Sequence, residues 1–300
     1  MKTLKKLTLL AILALAPTAM FAADHIVFIH GWNGDKGTWE RMVKFMTNPD
    51  YGTPFVKAEN VLVVEHSKLS SHIEEVAKNV RDQIVAWLDN FPDGKCPSKV
   101  DFVVHSMGGL IIRSMIEQNL LSESIIDHVV TLATPHYGQS WNKSVQQRDM
   151  EYGSEFIWKL ANTANRITPS KVLCVVGTQD GLVSEWSVAL QDKDCASVRY
   201  VDKDHTATGD IRVGGPGIIG NNGICYCSNG RNDVVYKLVT DFLSRGIVTA
   251  GNSIGSKNAG AVLFQIVDGK GKPVPYEQMK VASEEDAIIA GMTSFAMLKN

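Results

Sequence analysis

The chain has 300 residues, of which 44% are apolar and 21% charged, with a formal net charge of −2. That balance excludes a disordered chain and supplies enough apolar surface for one large core plus an appendage. The mild acidity argues against nucleic acid as a partner.

Residues 1–22 read as a secretory signal peptide. Lys2, Lys5 and Lys6 form a positive start, residues 7–16 are apolar, and Pro17-Thr18-Ala19-Met20-Phe21-Ala22 offers cleavage after Ala22. The apolar part is too short to span a bilayer. No cysteine follows it closely, so no stable membrane anchor is expected. Its loss removes three lysines and no acids, taking the net charge from −2 to −5. The mature chain is therefore expected to be secreted or periplasmic.

Beyond it, apolar and mostly β-branched runs at 26–29, 61–64, 100–104, 129–132, 172–176 and 198–201 read as strands. Continuous apolar strands imply a parallel sheet buried on both faces. Helical patterns lie between them. One starts near Thr38. Another has a capping box of Ser71 with Glu74, then Ile73, Val76, Val80, Ile84, Trp87 and Leu88 to about Asn90. Residues 139–170 form the longest insertion between strands, with an apolar stripe of Phe156, Ile157, Leu160, Ala164 and Ile167. The stripe fits both a small cap over a pocket and a helix covering the sheet. A last helix near 233–244 turns Val234, Val235, Leu238, Val239, Phe242 and Leu243 inward and stops at Gly246. Residues 249–258 read as a linker, and 261–281 as a β-hairpin that packs on the main domain. Three parts follow: residues 1–22, a main domain at 23–248 that includes the insertion at 139–170, and a linker with a C-terminal β extension at 249–300. The alternation predicts an α/β fold with a doubly wound, mostly parallel sheet.

Five cysteines remain after cleavage: Cys96, Cys174, Cys195, Cys225 and Cys227. Export would expose them to oxidising conditions, so one or two disulfides are expected, and the odd count leaves at least one thiol over. Their pairing stays open. Cys174, inside an apolar run, also reads as a small buried hydrophobe. Cys225-Tyr226-Cys227 lacks metal-ligand spacing, and no zinc site is expected.

The chemistry centres on Val103-Val104-His105-Ser106-Met107-Gly108-Gly109. A serine between a β-branched strand and an apolar helix, with glycines behind it, is a nucleophile elbow, here with Val104 where the usual pattern has glycine. The turn exposes the hydroxyl and aims helix-start N–H groups at whatever it attacks. Four further blocks accompany it: His30-Gly31-Trp32-Asn33-Gly34, Leu132-Ala133-Thr134-Pro135-His136-Tyr137-Gly138, Gly177-Thr178-Gln179-Asp180-Gly181-Leu182-Val183, and Asp204-His205-Thr206.

In their order and spacing the five blocks resemble the α/β-hydrolase superfamily, more narrowly bacterial secreted lipases and esterases of the triacylglycerol lipase type. That resemblance implies a carboxylic ester hydrolase with Ser106 as nucleophile, His205 as base and Asp180 as the acid that orients it. Asp202 and Asp204 are rivals to Asp180, but sit on the histidine's own segment. The resemblance places the oxyanion donors on the backbone N–H groups of Trp32 and Met107. It puts His30, His105, His136, Tyr137 and Val183 around the pocket, with Phe156, Ile157 and Leu160 of the insertion above it. His25, His66, His72 and His128 read as ordinary surface or strand-end residues. No cofactor is expected. Asp202, Asp204 and Asp210 supply oxygens but no defined calcium pattern. The partner expected is an ester or lipid substrate. Open alternatives are an esterase on plant-polymer or polyester substrates, a phospholipase or acyltransferase, and a noncatalytic binding protein on the same fold. Oligomeric state is open.

Overall fold

The β-branched runs form strands β1 (Ile26–Ile29), β2 (Val61–Val63), β3 (Val100–His105), β4 (Ile126–Leu132), β5 (Val172–Gly177) and β6 (Ala196–Tyr200). The computed structural model describes residues 25–52, 54–91, 97–140, 143–177, 180–188, 190, 195–200, 205, 233–246 and 261–263. All neighbouring pairs among these six strands are parallel, and the sheet order is β2-β1-β3-β4-β5-β6-β7. The edge strand β7 (Ala261–Leu263) pairs antiparallel with β6. Residues 261–263 thus add to the main sheet. The remainder of the expected hairpin, the linker and the signal peptide lie outside the described residues.

Side chains alternate across this sheet with period two. Val27, Ile29, Val100, Phe102, Val104, Val129, Val172 and Cys174 face one core. That core is completed by α2 (Ile73–Asp89), α3 (Met107–Glu117) and α5 (Glu155–Asn162). Ile26, Phe28, Val103, Val130, Leu132, Leu173 and Val175 face a second core, against α1 (Glu40–Thr47) and α7 (Asp233–Arg245). Helices on both faces of a mostly parallel sheet make the α/β-hydrolase arrangement the sequence leads one to expect.

Three details depart from the sequence reading. β4 begins at Ile126, three residues before the apolar run at 129. Its polar start is accommodated because the buried Asp101 carboxylate on β3 accepts hydrogen bonds from His128 N–H and Nδ1, both at 3.1 Å. The capping box of Ser71 with Glu74 does not form: α2 has His72 at its N-cap, with no side-chain cap of its own. The cap comes instead from Asp149, on the short helix α4 (Val145–Asp149). Its carboxylate accepts from Ile73 N–H and His72 Nδ1, each at 2.8 Å. Finally, the insertion is bound into the domain. Phe156, Ile157 and Leu160 of α5 are buried in the first core beside Met115 and Ile116. On its outer side Lys159 reaches Glu74 of α2 at 2.8 Å and Glu117 of α3 at 3.3 Å. Of the two readings open in the sequence, the stripe of α5 is therefore seated as a helix covering the sheet.

If Asp149 is the cap of α2, Asp149→Ala should lower unfolding free energy by about 1–2 kcal/mol, the usual loss for a helix cap. Urea denaturation of the two proteins would measure it. An unchanged midpoint would refute the assignment.

Candidate active site

The described residues of the five blocks converge at the carboxyl ends of β1, β3, β4 and β5, with His205 following β6, where sheets of this kind present their ligands. β3 ends at His105, and Ser106 turns the chain into α3 with φ 51° and ψ −124°. For a residue with a Cβ this is a strained backbone, of order 1–3 kcal/mol, which persists only when its surroundings enforce it. They do so from three sides. Ser106 N–H donates to Leu132 O at 2.8 Å, tying the turn to β4. Gly108 lies so close to β1 that a Cβ there would stand 2.5 Å from Ile29 O. A Cβ on Gly31 would stand 2.8 Å from the Ser106 Cβ.

The strain presents the Ser106 hydroxyl to His205. Ser106 Oγ lies 3.0 Å from His205 Nε2, and His205 Nδ1 lies 2.7 Å from Asp180 Oδ2. Ser106 is 7% exposed, His205 9%, and the Asp180 side chain 0%, so the series is largely screened from water. Asp180 uses its two oxygens differently. Oδ1 accepts Leu182 N–H and Val183 N–H, each at 2.8 Å, which fixes the turn after β5. Oδ2 is left for the imidazole. An Asx-type turn and an orienting carboxylate are thus the same residue. The rivals Asp202 and Asp204 lie outside the described residues, as does Asp210.

Two backbone N–H groups flank the serine. Met107 is the first residue of α3, where helical N–H groups lack an internal partner. The Trp32 peptide is aligned by its other side. His30 Nδ1 donates to Gly31 O at 2.9 Å, and Gly34 N–H donates to the same oxygen at 3.2 Å. In a trans peptide the N–H points opposite to the carbonyl. Neither N–H has a hydrogen-bond partner among the described residues.

His66 completes this arrangement, and the sequence reading missed it. It is buried, not a surface residue, and its ring stacks on His30 with centroids 3.7 Å apart. Its Nε2 donates to His30 O at 3.0 Å, while its own N–H donates to His30 Nε2 at 3.2 Å. Burial holds His30 below its ordinary value. Burial, with His30 alongside, takes His66 down to about 3. Both rings are neutral at pH 7. No local signal marks His66, because its partner is 36 residues away.

His105 lies behind the candidate base. Its Nε2 donates to His205 O at 2.9 Å, and burial keeps the ring neutral. His136 is fully buried below the Thr134-Pro135-His136 turn, where its N–H donates to Ser187 O at 2.7 Å. Arg113, which the sequence reading also passed over, bonds His136 O at 2.9 Å and Leu160 O at 3.0 Å. It thereby joins α3 to the turn and to α5. Tyr137 and Val183 share a small apolar cluster with Val176 and Val188 next to Asp180. Phe156, Ile157 and Leu160 sit in the core and not in that cluster. A small pocket beside Ile112, Arg113, His136 and Ile167 has none of Ser106, Asp180 or His205 in its wall. Among the described residues, Asp101, Asp127 and His128 bring ligand-type atoms within 4.8 Å of one another. They sit at the far end of β3 from Ser106, and the Asp101–His128 hydrogen bonds already account for the grouping.

The palmitoyl protein thioesterase family model matches residues 25–180. No curated protein matches the chain. Among solved structures, phospholipase PlaB from Legionella pneumophila is similar at 14% identity and TM-score 0.52, covering 64% of this chain and 56% of its own. A Bacillus licheniformis lipase in its propeptide form has 18% identity and TM-score 0.48, covering 63% of this chain and 47% of its own. Lipase B from Aspergillus fumigatus has 12% identity and TM-score 0.47, covering 92% and 62%. The chain spans about half the length of the first two. At these identities the likeness to the phospholipase is one of fold.

Two outcomes follow from the histidines. The folded His66 value lies below the unfolded 6.5, so the unfolded state binds more protons and stability falls as pH drops from about 6.5 towards 3. That ring alone should remove about 2 kcal/mol between pH 7 and pH 5. Urea unfolding should show His66→Phe with a shallower pH slope than wild type, and equal slopes would contradict the assignment. At the other histidine, His105→Leu leaves His205 O without its donor. If His205 acts as a base on Ser106, steady-state kinetics should show kcat down roughly tenfold with KM unchanged, as for a displaced catalytic group; a KM effect alone would be inconsistent.

Proposed function

The chain belongs to the palmitoyl protein thioesterase family, and from that premise we propose that it is an exported serine hydrolase of fatty acyl thioesters and esters. Ser106 Oγ attacks the acyl carbonyl as His205 Nε2 takes its proton. Asp180 keeps the imidazole in the tautomer that accepts at Nε2, and stabilises the imidazolium that forms. Trp32 N–H and Met107 N–H receive the tetrahedral oxyanion. The imidazolium then protonates the leaving thiol or alcohol. Water, activated by the same base, releases the acid from Ser106. No step requires a cofactor.

The observation that carries this reading is the series Asp180 Oδ2–His205 Nδ1 at 2.7 Å and His205 Nε2–Ser106 Oγ at 3.0 Å. It begins on a serine held at positive φ. An ordinary βα loop gains nothing from that strain. Export is supported by the charge and apolar pattern of residues 1–22. Among the described residues, no helix is long and apolar enough to cross a membrane.

Hydrolysis of palmitoyl-CoA and of p-nitrophenyl esters from acetate to palmitate tests the proposal. Wild type should turn over, and Ser106→Ala should lose about a thousandfold or more, as when a triad nucleophile is removed. Absence of wild-type activity on every thioester and ester, or retention of activity in the variant, would overturn it.

A further inference from the structure

The Cys174 and Cys195 side chains meet across β5 and β6. Cys174 is opposite Ser197 in the ladder, so Cys195, two positions earlier, projects from the same face. The two Sγ atoms are 3.7 Å apart. A disulfide brings its sulfurs to about 2.05 Å. Cys195 precedes the ladder and is only half-buried, so it is the partner that must move to close the gap.

The two thiols differ in surroundings. Cys174 is fully buried, and two N–H groups reach its sulfur: Leu190 N–H at 3.5 Å and His136 Nε2 at 3.8 Å. Arg113 beside His136 Nδ1, at 3.4 Å, leaves the ring proton on Nε2, facing Thr131 Oγ1 and Cys174. N–H donors aimed at sulfur favour the thiolate. Cys195 is the more accessible of the two, and the bond between them would close the loop that carries Asp180 and α6 (Glu185–Val188).

We infer that Cys174 and Cys195 are a disulfide-forming pair that staples the start of β6 to the middle of β5. The oxidant is a small or protein disulfide. The Cys195 thiolate attacks one oxidant sulfur, giving a mixed disulfide and one released thiol. The Cys174 thiolate then attacks the Cys195 sulfur and expels the second. One S–S bond forms and one breaks. Two electrons pass to the oxidant, and the two cysteine protons end on its two thiols. The pairing is independent of the chemistry at Ser106.

The test uses the full chain, incubated with oxidised glutathione, alkylated in denaturant and digested without reductant. Mass spectrometry should find a linked peptide holding Cys174 and Cys195. The oxidised Cys195→Ser variant should lack it and melt about 5–10 °C below oxidised wild type, as expected for a bond closing a loop of roughly 20 residues. Recovery of both cysteines alkylated, or of either linked to Cys96, Cys225 or Cys227, would overturn the inference. Should Cys195→Ser not fold, the wild-type peptide decides alone.

Discussion

The backbone of Ser106 is the constraint on which the rest of this structure turns. At φ 51° and ψ −124° it occupies a region that L-residues avoid. Nothing in the turn itself favours that state. It is imposed by β1 and β4 on either side of β3, through the hydrogen bond to Leu132 O and the close approach of Gly31 and Gly108. The parallel register of three strands, Phe28 beside Val103 and Val103 beside Val130, therefore fixes the position of one hydroxyl. A shift of any of the three would relax the serine and take it away from His205.

A layer of buried histidines surrounds this point, and most of them act on backbone carbonyls. His66 holds His30 O, His30 holds Gly31 O, and His105 holds His205 O. Each ring is a neutral donor with an apolar body, suited to filling space while satisfying one carbonyl. Burial lowers His30, His66, His105 and His136 alike. A neutral scaffold keeps positive charge away from the imidazolium that the proposed reaction forms on His205. It also makes the fold sensitive to acid at the place where geometry matters most.

The strands were legible because their apolar, β-branched runs are local, and the order of the five motif blocks was legible because the chain itself carries it. Long-range partners were not. His66 looked like a strand-end residue, since stacking on His30 leaves no mark in the neighbouring sequence. Ser71 with Glu74 satisfies a local capping pattern, yet Asp149 takes that role from 76 residues away, and only the fold brings it there. β4 reads late because Asp127 and His128 break the apolar pattern, while Asp101 on the adjacent strand makes His128 acceptable. Tyr236, fully buried against Phe45, is a core residue that the apolar stripe of α7 omits. The stripe of α5 was legible as apolar but not as to what it covers, which depends on where α2 and α3 stand.

In the proposed reaction Ser106 is made nucleophilic by His205, and covalent labelling with a fluorophosphonate tests that directly. The wild-type chain should take up one phosphonyl group, located by peptide mass spectrometry on Ser106, and His205→Ala should label far more slowly while remaining folded. Labelling at a different residue, no labelling, or equal rates in the two proteins would contradict the account.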